Sequence, residues 1–196
     1  MNAETLAEAA AVLRRGGVVA FPTDTVYGLC ADLFSVAAVT RIYEIKGRPQ
    51  RMPLIAMLAE AAQWERVAAS LPATAQAYIA RWWPGPLTII APARAEVPAI
   101  VLGGGATIGM RVPDHGATLA LLQQVEFPLA TTSANRSGSP AACSAAEVAV
   151  QLDGLVDLIL DAGVCQQGQA STVVDCTTDP PTIVREGPVT RADLGL

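Results

Sequence analysis

The sequence predicts an α/β protein with one twisted, open sheet of mixed, partly parallel strands and helices packed on it. Three observations support this prediction. Short apolar runs typical of buried strands alternate with amphipathic segments typical of helices. The chain has 196 residues, of which 52% are hydrophobic and only 16% charged, so it can bury a sizeable core. Its last strands have few helices between them, which favours a mixed sheet over a purely parallel one.

The first half of the chain alternates helices with strands. Gly16 and Gly17 end a first helix, and Ser35 can cap a second one, which places its apolar residues on one face. Pro22 ends the first strand, and a rigid Trp-Pro-Gly-Pro corner precedes the strand that begins at Leu87. The predicted helices cover residues 4–15, 35–45, 60–69 and 73–83, and the predicted strands cover residues 18–21, 54–58 and 87–91.

The second half contains more strands than helices. Ser144 and Glu147 form a capping-box pattern that opens a helix ending at Leu152. The predicted strands cover residues 107–111, 128–131, 158–160, 172–174 and 182–185, and the predicted helices cover residues 115–125 and 144–152. Because no repeat, low-complexity tract or Ser/Gly-rich linker interrupts the pattern, we expect a single domain over residues 1–196.

Composition argues against several classes of protein. A net charge of −5 disfavours a broad electrostatic surface for nucleic acid, although not a local one. Apolar runs are far shorter than the roughly 18 residues of a membrane span, and the N-terminus does not resemble a signal peptide, so we expect a cytoplasmic protein. The four cysteines form no CxxC pair and the chain has a single histidine, so no metal site is predicted.

Two features that resemble functional motifs are better explained otherwise. Three consecutive glycines at 103–105 fit neither the P-loop nor the dinucleotide-binding pattern, and we interpret them as a mobile loop. His115 follows Asp114 but has no nucleophile to pair with, so we expect a structural role.

Polar segments at the ends of predicted strands carry the chemistry, because open α/β sheets bind ligands there. Lys46 is the only lysine of the chain and lies in a Lys-Gly-Arg-Pro turn. The other segments are 22–25, Arg111, 131–135, 171–172 and 185–187. Together they offer cations, hydroxyls and an amide, but no carboxylate–histidine or nucleophile–base pair. Such a set suits phosphoryl or nucleotidyl transfer, which depends mainly on positioning and charge stabilisation.

Six segments, in order, resemble the YrdC-type threonylcarbamoyl-AMP synthases: 17–29, 46–49, 83–88, 133–135, 171–175 and 185–188. The resemblance runs from about residue 4 to 194, and the order of the segments makes it specific. It implies a YrdC-like fold and the formation of L-threonylcarbamoyl-adenylate and pyrophosphate from L-threonine, bicarbonate and ATP. It also implies that the product feeds a tRNA-modifying threonylcarbamoyl transferase complex, which acts on the adenosine next to the anticodon.

The resemblance also implies roles for individual residues. Lys46 and Arg48 would be catalytic, neutralising charge on the phosphate oxygens together with Mg²⁺. The implied ATP contacts are Lys46, Arg48, Thr107, Ser133, Asn135 and Arg185. The implied threonine contacts are Thr25, Arg111, Thr131 and Ser171, with Arg111 as a fork for the carboxylate. Thr107 and Thr131 are equally well explained as ordinary strand residues.

The sequence departs from the family pattern at Met57, where some members carry histidine near threonine, and at Met52 and Ala141, where some carry asparagine and serine. The chain stops soon after Pro188, as in the short form of the family. Two alternatives remain open. One is a module that binds double-stranded RNA or tRNA without catalysis, for which the chain is too acidic to favour more than weak tRNA binding. The other is a carbamoyl-adenylate-handling relative that uses carbamoyl phosphate.

Overall fold

The computed structural model describes residues 2–196, and their strands form one nine-stranded sheet. In chain order the strands are β1 (Val19–Phe21), β2 (Gly28–Asp32), β3 (Ile55–Met57), β4 (Leu87–Pro92), β5 (Thr107–Arg111), β6 (Leu129–Ser133), β7 (Leu158–Ile159), β8 (Thr172–Asp175) and β9 (Thr182–Arg185). Their spatial order is β7-β1-β2-β6-β3-β5-β4-β8-β9. The pairs β1–β7, β3–β5 and β4–β8 are parallel and the other five are antiparallel, which confirms the predicted mixed sheet.

Helices pack on both faces of this sheet. They are α1 (Ala3–Arg14), α2 (Val36–Lys46), α3 (Ala73–Trp82), α4 (Gly116–Val125), α5 (Ala145–Leu152) and α6 (Arg191–Leu194), with a 3₁₀ helix at Ala61–Arg66. Successive strand residues point to opposite faces, so each face has its own core. On the first face, α2, α5, α3 and α6 cover most of the sheet. None of the described helices has the length and apolar character that crossing a bilayer requires.

The second face is only partly covered, and this decides where a ligand can bind. Helices α1 and α4 pack against each other and against Val19, Phe21, Leu129 and Met57, forming a core over the first part of the sheet. Beyond Met57, the second face of β3, β5, β4, β8 and β9 faces a cavity instead of a helix. The fold therefore leaves part of one sheet face open to a ligand.

Local sequence signals account for most element boundaries. Ser35 caps α2 by accepting a hydrogen bond from Ala38 N, and Gly47 ends the helix in the left-handed conformation with φ +61°. Ser144 caps α5 as predicted. The other hydrogen bond of the predicted capping box, from Ser144 N to the Glu147 carboxylate, does not form. The carboxylate of Glu147 accepts its hydrogen bond from Cys143 N (2.7 Å), one residue before the cap.

Three elements differ from the sequence prediction. Residues 60–69 were predicted as an α-helix, but only Ala61–Arg66 is helical and it is 3₁₀. Helix α6, a short helix with its own capping box, was not predicted. Strand β2 was also missed, because its first residue is a glycine and its polar approach suggests a loop. Gly28 is required there, since a Cβ would lie 2.8 Å from Phe21 Cε1.

Candidate functional site

The open part of the second face forms the floor of a cavity of about 700 Å³. Its centre is a row of residues in register on four neighbouring strands, Thr131, Ile55, Gly109 and Ile90. Gly109 has no side chain to fill its place in this row, and a larger residue would be crowded there, because a Cβ would lie 3.0 Å from Ile55 and 3.3 Å from Thr88. The floor therefore has two apolar side chains, Ile55 and Ile90, on either side of a glycine, with the hydroxyl-bearing Thr131 at one end.

The charge on the cavity wall has one sign. Four arginines line it, Arg48, Arg51, Arg111 and Arg185, and no carboxylate side chain does so among the described residues. This contrasts with a net charge of −5 for the whole chain. Arg111 is paired with Asp24, so the net positive charge facing the cavity comes from the other three arginines, and it favours negatively charged ligands.

Arg111 at the end of β5 is held from three sides. Its Nε donates to Gly85 O (2.8 Å), Nη1 donates to Thr25 Oγ1 (2.8 Å), and Nη2 donates to Asp24 Oδ1 (2.5 Å). The side chains of Arg111 and Asp24 are only 3% and 2% exposed. Three of the five N–H donors of the guanidinium are committed in this way, and two remain for a ligand.

The turn before β2 positions these partners. Thr23 Oγ1 accepts hydrogen bonds from Thr25 N and Val26 N, which folds residues 23–26 into a tight turn. Thr23 and Thr25 also share a hydroxyl hydrogen bond (2.9 Å). The turn brings Asp24 and Thr25 against Arg111, so its Thr-Asp-Thr sequence has a structural as well as a ligand-facing role.

Only one of the two carboxylate oxygens of Asp24 has a hydrogen-bond partner among the described residues. The other oxygen, Asp24 Oδ2, is buried. Burial lowers the pKa of Arg111, the ion pair with Asp24 raises it, and the charge of Arg185 lowers it again. Arg111 and Arg185 are thus close enough to repel each other, and an anion between them would relieve that repulsion.

Arg185 reaches the cavity from the edge strand β9. Its Nε and Nη2 both donate to Ser171 O (3.0 and 2.8 Å), and Nη2 also lies 3.2 Å from Ser171 Oγ. Ser171 Oγ also shares a hydrogen bond with Thr88 Oγ1 (2.8 Å). Nη1 of Arg185 remains for a ligand, next to the hydroxyl of Ser171.

Arg48 frames another part of the cavity, after α2 has ended at Lys46. Its Nε donates to Met52 O (3.3 Å) and its Nη2 to Pro53 O (3.1 Å), so the side chain is fixed along the segment that precedes β3. Burial lowers the pKa of Arg48 from its ordinary value. Thr107, exposed at the start of β5, and Ser133, half-buried at the end of β6, also line the cavity.

Lys46 and Asn135 lie behind the wall and do not line the cavity. Lys46 Nζ donates to Ser133 O (2.5 Å), Asn135 O (2.6 Å) and Asn135 Oδ1 (3.0 Å). Burial, and secondarily the charge of Arg48, lower the pKa of Lys46 to about 7. The three oxygen acceptors act in the opposite direction and favour the charged form of Lys46, because only an ammonium has a hydrogen for each of them.

Eight of the ten predicted site residues therefore share one cavity: Thr25, Arg48, Thr107, Arg111, Thr131, Ser133, Ser171 and Arg185. Met52, Met57 and Ala141, the three departures from the family pattern, line it as well. Sequence reasoning missed the pairing of Asp24 with Arg111. The only available signal was an acidic residue within a polar segment, and nothing local shows that this residue meets an arginine 87 positions away.

The four cations of segment 41–51 do not form one basic patch. Arg41 pairs with Asp157 (2.8 Å), Lys46 is buried, and Arg48 and Arg51 line the cavity. These four cations, which are close together in the sequence, are therefore divided among three environments.

The remaining candidates have structural roles or stay apart from the cavity. His115 caps α4, and its Nδ1 accepts a hydrogen bond from Thr118 N (3.4 Å). The four cysteines are free thiols. Among residues 2–196, no group of three or more histidine, cysteine or acidic side chains could hold a metal ion.

Comparison with known proteins places this geometry in a family. The family model named Sua5_yciO_yrdC, described as "Telomere recombination", matches residues 11–187. A protein of Bacillus subtilis (strain 168) named threonylcarbamoyl-AMP synthase is 42% identical over 194 residues, which is 98% of this chain and 56% of that protein. A putative threonylcarbamoyl-AMP synthase of Mycobacterium leprae is 38% identical, covering 98% of this chain and 87% of the relative.

A solved structure is also similar. Sua5 of Pyrococcus abyssi in complex with L-threonine superimposes with a TM-score of 0.95 and 41% sequence identity, covering 96% of this chain and 56% of Sua5. The chain thus spans slightly more than half the length of Sua5 and of the Bacillus relative.

Proposed function

The chain belongs to the Sua5/YciO/YrdC family, and we propose that it forms L-threonylcarbamoyl-adenylate and pyrophosphate from L-threonine, bicarbonate and ATP. One observation carries the proposal. A single cavity with four arginines and no carboxylate on its described wall contains eight of the residues that we assign to these substrates. All three substrates carry negative charge, and the reaction gathers more of it on phosphate oxygens.

Arg111 would bind the carboxylate of L-threonine through its two remaining N–H groups. Thr25 is held beside it by a hydrogen bond, and Thr131 lies on the floor of the same cavity. Met57 pairs with Arg111 in the parallel register of β3 and β5, so it would lie next to the amino acid. The L-threonine bound by Sua5 of P. abyssi supports an amino-acid site in this fold.

Arg48, Thr107, Ser133 and Arg185 would bind ATP, with Asn135 supporting Ser133 from behind. The hydrogen bonds from Arg185 to Ser171 join the proposed ATP contacts to the proposed threonine contacts. The two substrates would therefore meet at Arg185 and Ser171, where a reaction between them requires little movement.

The chemistry needs positioning and charge stabilisation more than acid–base groups. The threonine amine adds to bicarbonate and gives a carbamate with loss of water. A carbamate oxygen then attacks the α-phosphorus of ATP, and the bond to the leaving pyrophosphate breaks. Arg48 and Arg185 would stabilise the charge on the phosphate oxygens. Mg²⁺ would enter together with ATP, since no carboxylate among the described residues of the wall could hold it.

The wider role is part of the same proposal. The product would supply a tRNA-modifying threonylcarbamoyl transferase complex in the cytoplasm, where ATP and tRNA are found. Any direct contact of this chain with tRNA would be weak. Residues 1–196 would act as one YrdC-like domain that contains the whole cavity.

The decisive experiment measures pyrophosphate release from ATP with and without L-threonine, in bicarbonate buffer. We expect release that depends on both threonine and bicarbonate. Arg185→Gln should lower it strongly, whereas Arg191→Gln, a matched change on the exposed helix α6, should not. Release with carbamoyl phosphate in place of threonine and bicarbonate would favour the carbamoyl-adenylate alternative. No release with any of these substrates, together with tight tRNA binding, would favour the RNA-binding alternative.

A further inference from the structure

We propose that Lys46 is a positioning residue. Its ammonium fixes segment 133–139 as one wall of the cavity, and it does not itself contact the phosphates of the nucleotide. The inference rests on the proposed function only in taking ATP as the ligand of that wall. It revises the direct charge-neutralising role that the family resemblance implies for Lys46.

The first argument is that the ammonium has no donor left. A lysine ammonium carries three N–H groups. Lys46 Nζ donates to three oxygens, Ser133 O, Asn135 O and Asn135 Oδ1, at 2.5, 2.6 and 3.0 Å. A phosphate oxygen could bind only by displacing one of them, and the displaced buried oxygen would lose its partner at a cost comparable to the gain.

The second argument is that the same loop is tied to Lys46 twice. Its backbone oxygen accepts a hydrogen bond from Ser137 N (2.9 Å), in addition to the three bonds of its side chain. The last turn of α2, which is packed into the core through Ile42 and Tyr43, thereby anchors the loop after β6. Helix α5 also holds the loop, through the hydrogen bond from Arg136 N to Gln151 Oε1 (3.0 Å), but among the described helices only α2 contacts Asn135 and Ser133 through a buried side chain.

The third argument is that these bonds continue to the cavity surface. Asn135 Oδ1 accepts from Lys46 Nζ and also from Ser133 Oγ (2.6 Å), while Asn135 Nδ2 donates to Ser139 O (2.6 Å). Ser133 lines the cavity, whereas Lys46 and Asn135 do not. Lys46 is 3% exposed. A change at Lys46 would therefore reach a ligand through Asn135 and Ser133.

The geometry also explains why lysine occupies this position in a chain that otherwise uses arginine. Three oxygens converge on one nitrogen, which suits the compact ammonium group. A planar guanidinium spreads its five donors over a larger area and cannot give three bonds from a single nitrogen. We therefore expect Lys46→Arg to disturb the loop although it keeps the charge.

The first test uses the wild-type protein. Because Lys46 is the only lysine of the chain, amine acetylation followed by mass spectrometry of its peptide measures this one side chain. We expect acetylation of Lys46 to be slow in the folded protein relative to the unfolded chain, and equally slow with and without a non-hydrolysable ATP analogue. Rapid acetylation that the analogue blocks would place the amine in the cavity and overturn the proposal.

The second test is a double-mutant cycle on binding of the same analogue, with Lys46→Met and Asn135→Ala. We expect Lys46→Met to weaken binding by about tenfold, because the hydrogen bonds lost come from a charged donor and are stronger than those between neutral groups. Adding Asn135→Ala should weaken binding little further, because both changes act through the same contacts. The control pair is Lys46→Met with Arg185→Gln, whose losses should multiply. Losses that multiply in the Asn135 cycle too would show that Lys46 acts independently of this loop.

Two measurements keep the outcome interpretable. Circular dichroism checks that Lys46→Met is folded, and if it is not, Lys46→Gln replaces it in the cycle. The same cycle is measured on the free energy of unfolding, which needs no ligand. Coupling in unfolding with no threonine-dependent pyrophosphate release would overturn the proposed function but leave the position of Lys46 intact. Threonine-dependent release without coupling in unfolding would support the proposed function and overturn the positioning role of Lys46.

Discussion

Replacing Arg111 with lysine tests the part of the cavity on which the proposal of an amino-acid site depends. The substitution keeps one positive charge opposite Asp24 but removes the fork. Arg111 now spans three acceptors, Gly85 O, Thr25 Oγ1 and Asp24 Oδ1. A shorter ammonium at the same position can stay close to Asp24 but cannot also reach the other two.

The expected loss follows from those contacts. Two buried hydrogen bonds disappear, and at about 1–1.5 kcal/mol each this amounts to about 2–3 kcal/mol of unfolding free energy. For a chain of this length, the midpoint of thermal unfolding should fall by about 5–10 °C. Loss of a bidentate carboxylate contact should also raise the KM for threonine by about 10–100-fold, since hydrogen bonds to charged groups contribute about 1.5–3 kcal/mol.

Thermal unfolding and threonine-dependent pyrophosphate release measure the two effects separately. The matched control is Arg191→Lys on the exposed helix α6, for which we expect no change in either measurement. An unchanged midpoint would refute the reasoning about the buried network. A lowered midpoint with an unchanged KM for threonine would leave the network intact and remove Arg111 from the amino-acid site.

Three further predictions concern selectivity, pH and RNA. Met57 is 2% exposed and pairs with Arg111 in the sheet register. Met57→His should therefore improve discrimination of threonine from valine by about fivefold, the worth of about one hydrogen bond. An unchanged ratio of threonine-dependent to valine-dependent pyrophosphate release would exclude Met57 from the amino-acid pocket. Burial chiefly lowers the pKa of His115 from its ordinary value of 6.5, so its contribution to stability is complete above that pH and is lost as the pH falls through the lower value of the folded state. His115→Asn keeps a capping acceptor for α4, and its unfolding free energy should depend less on pH as the pH falls below 6.5; equal pH dependence in both proteins would contradict this. Binding of unmodified tRNA to this chain should be weak and lost near about 0.15 M salt in filter-binding assays, whereas tight binding there would revive the RNA-binding alternative.

Local patterns in the sequence were sufficient for most of the fold. Strand β5, helix α4 and the end of α2 depend on signals within a few residues, namely apolar periodicity, a capping side chain and Gly47 in the left-handed conformation. The same is true of the cavity's residue types. Short polar segments after apolar runs predict hydroxyls and cations at strand ends, and eight such residues do line one cavity.

Strand β2 and the 3₁₀ helix at Ala61–Arg66 show the limit of local patterns. The five residues of β2 are nearly all buried because β1 and β6 flank it, and a fully buried strand carries no alternation to reveal it. The 3₁₀ helix has no side-chain cap and no buried residue, so little packing favours a regular α-helix there.

Only the tertiary structure determined where each charged group lies and which partner it has. Arg41, Lys46, Arg48 and Arg51 are neighbours in the sequence, but folding separates them. Arg41 pairs with Asp157, Lys46 is buried against Asn135, and Arg48 and Arg51 line the cavity. The partners lie about 90 to 116 residues away along the chain. Their meeting depends on the order and register of the strands, and the periodicity of hydrophobic residues carries no information about either. The sequence therefore determined which charges and hydroxyls are available, and the sheet determined which of them face a ligand, because only packing sets what is buried and with whom it pairs.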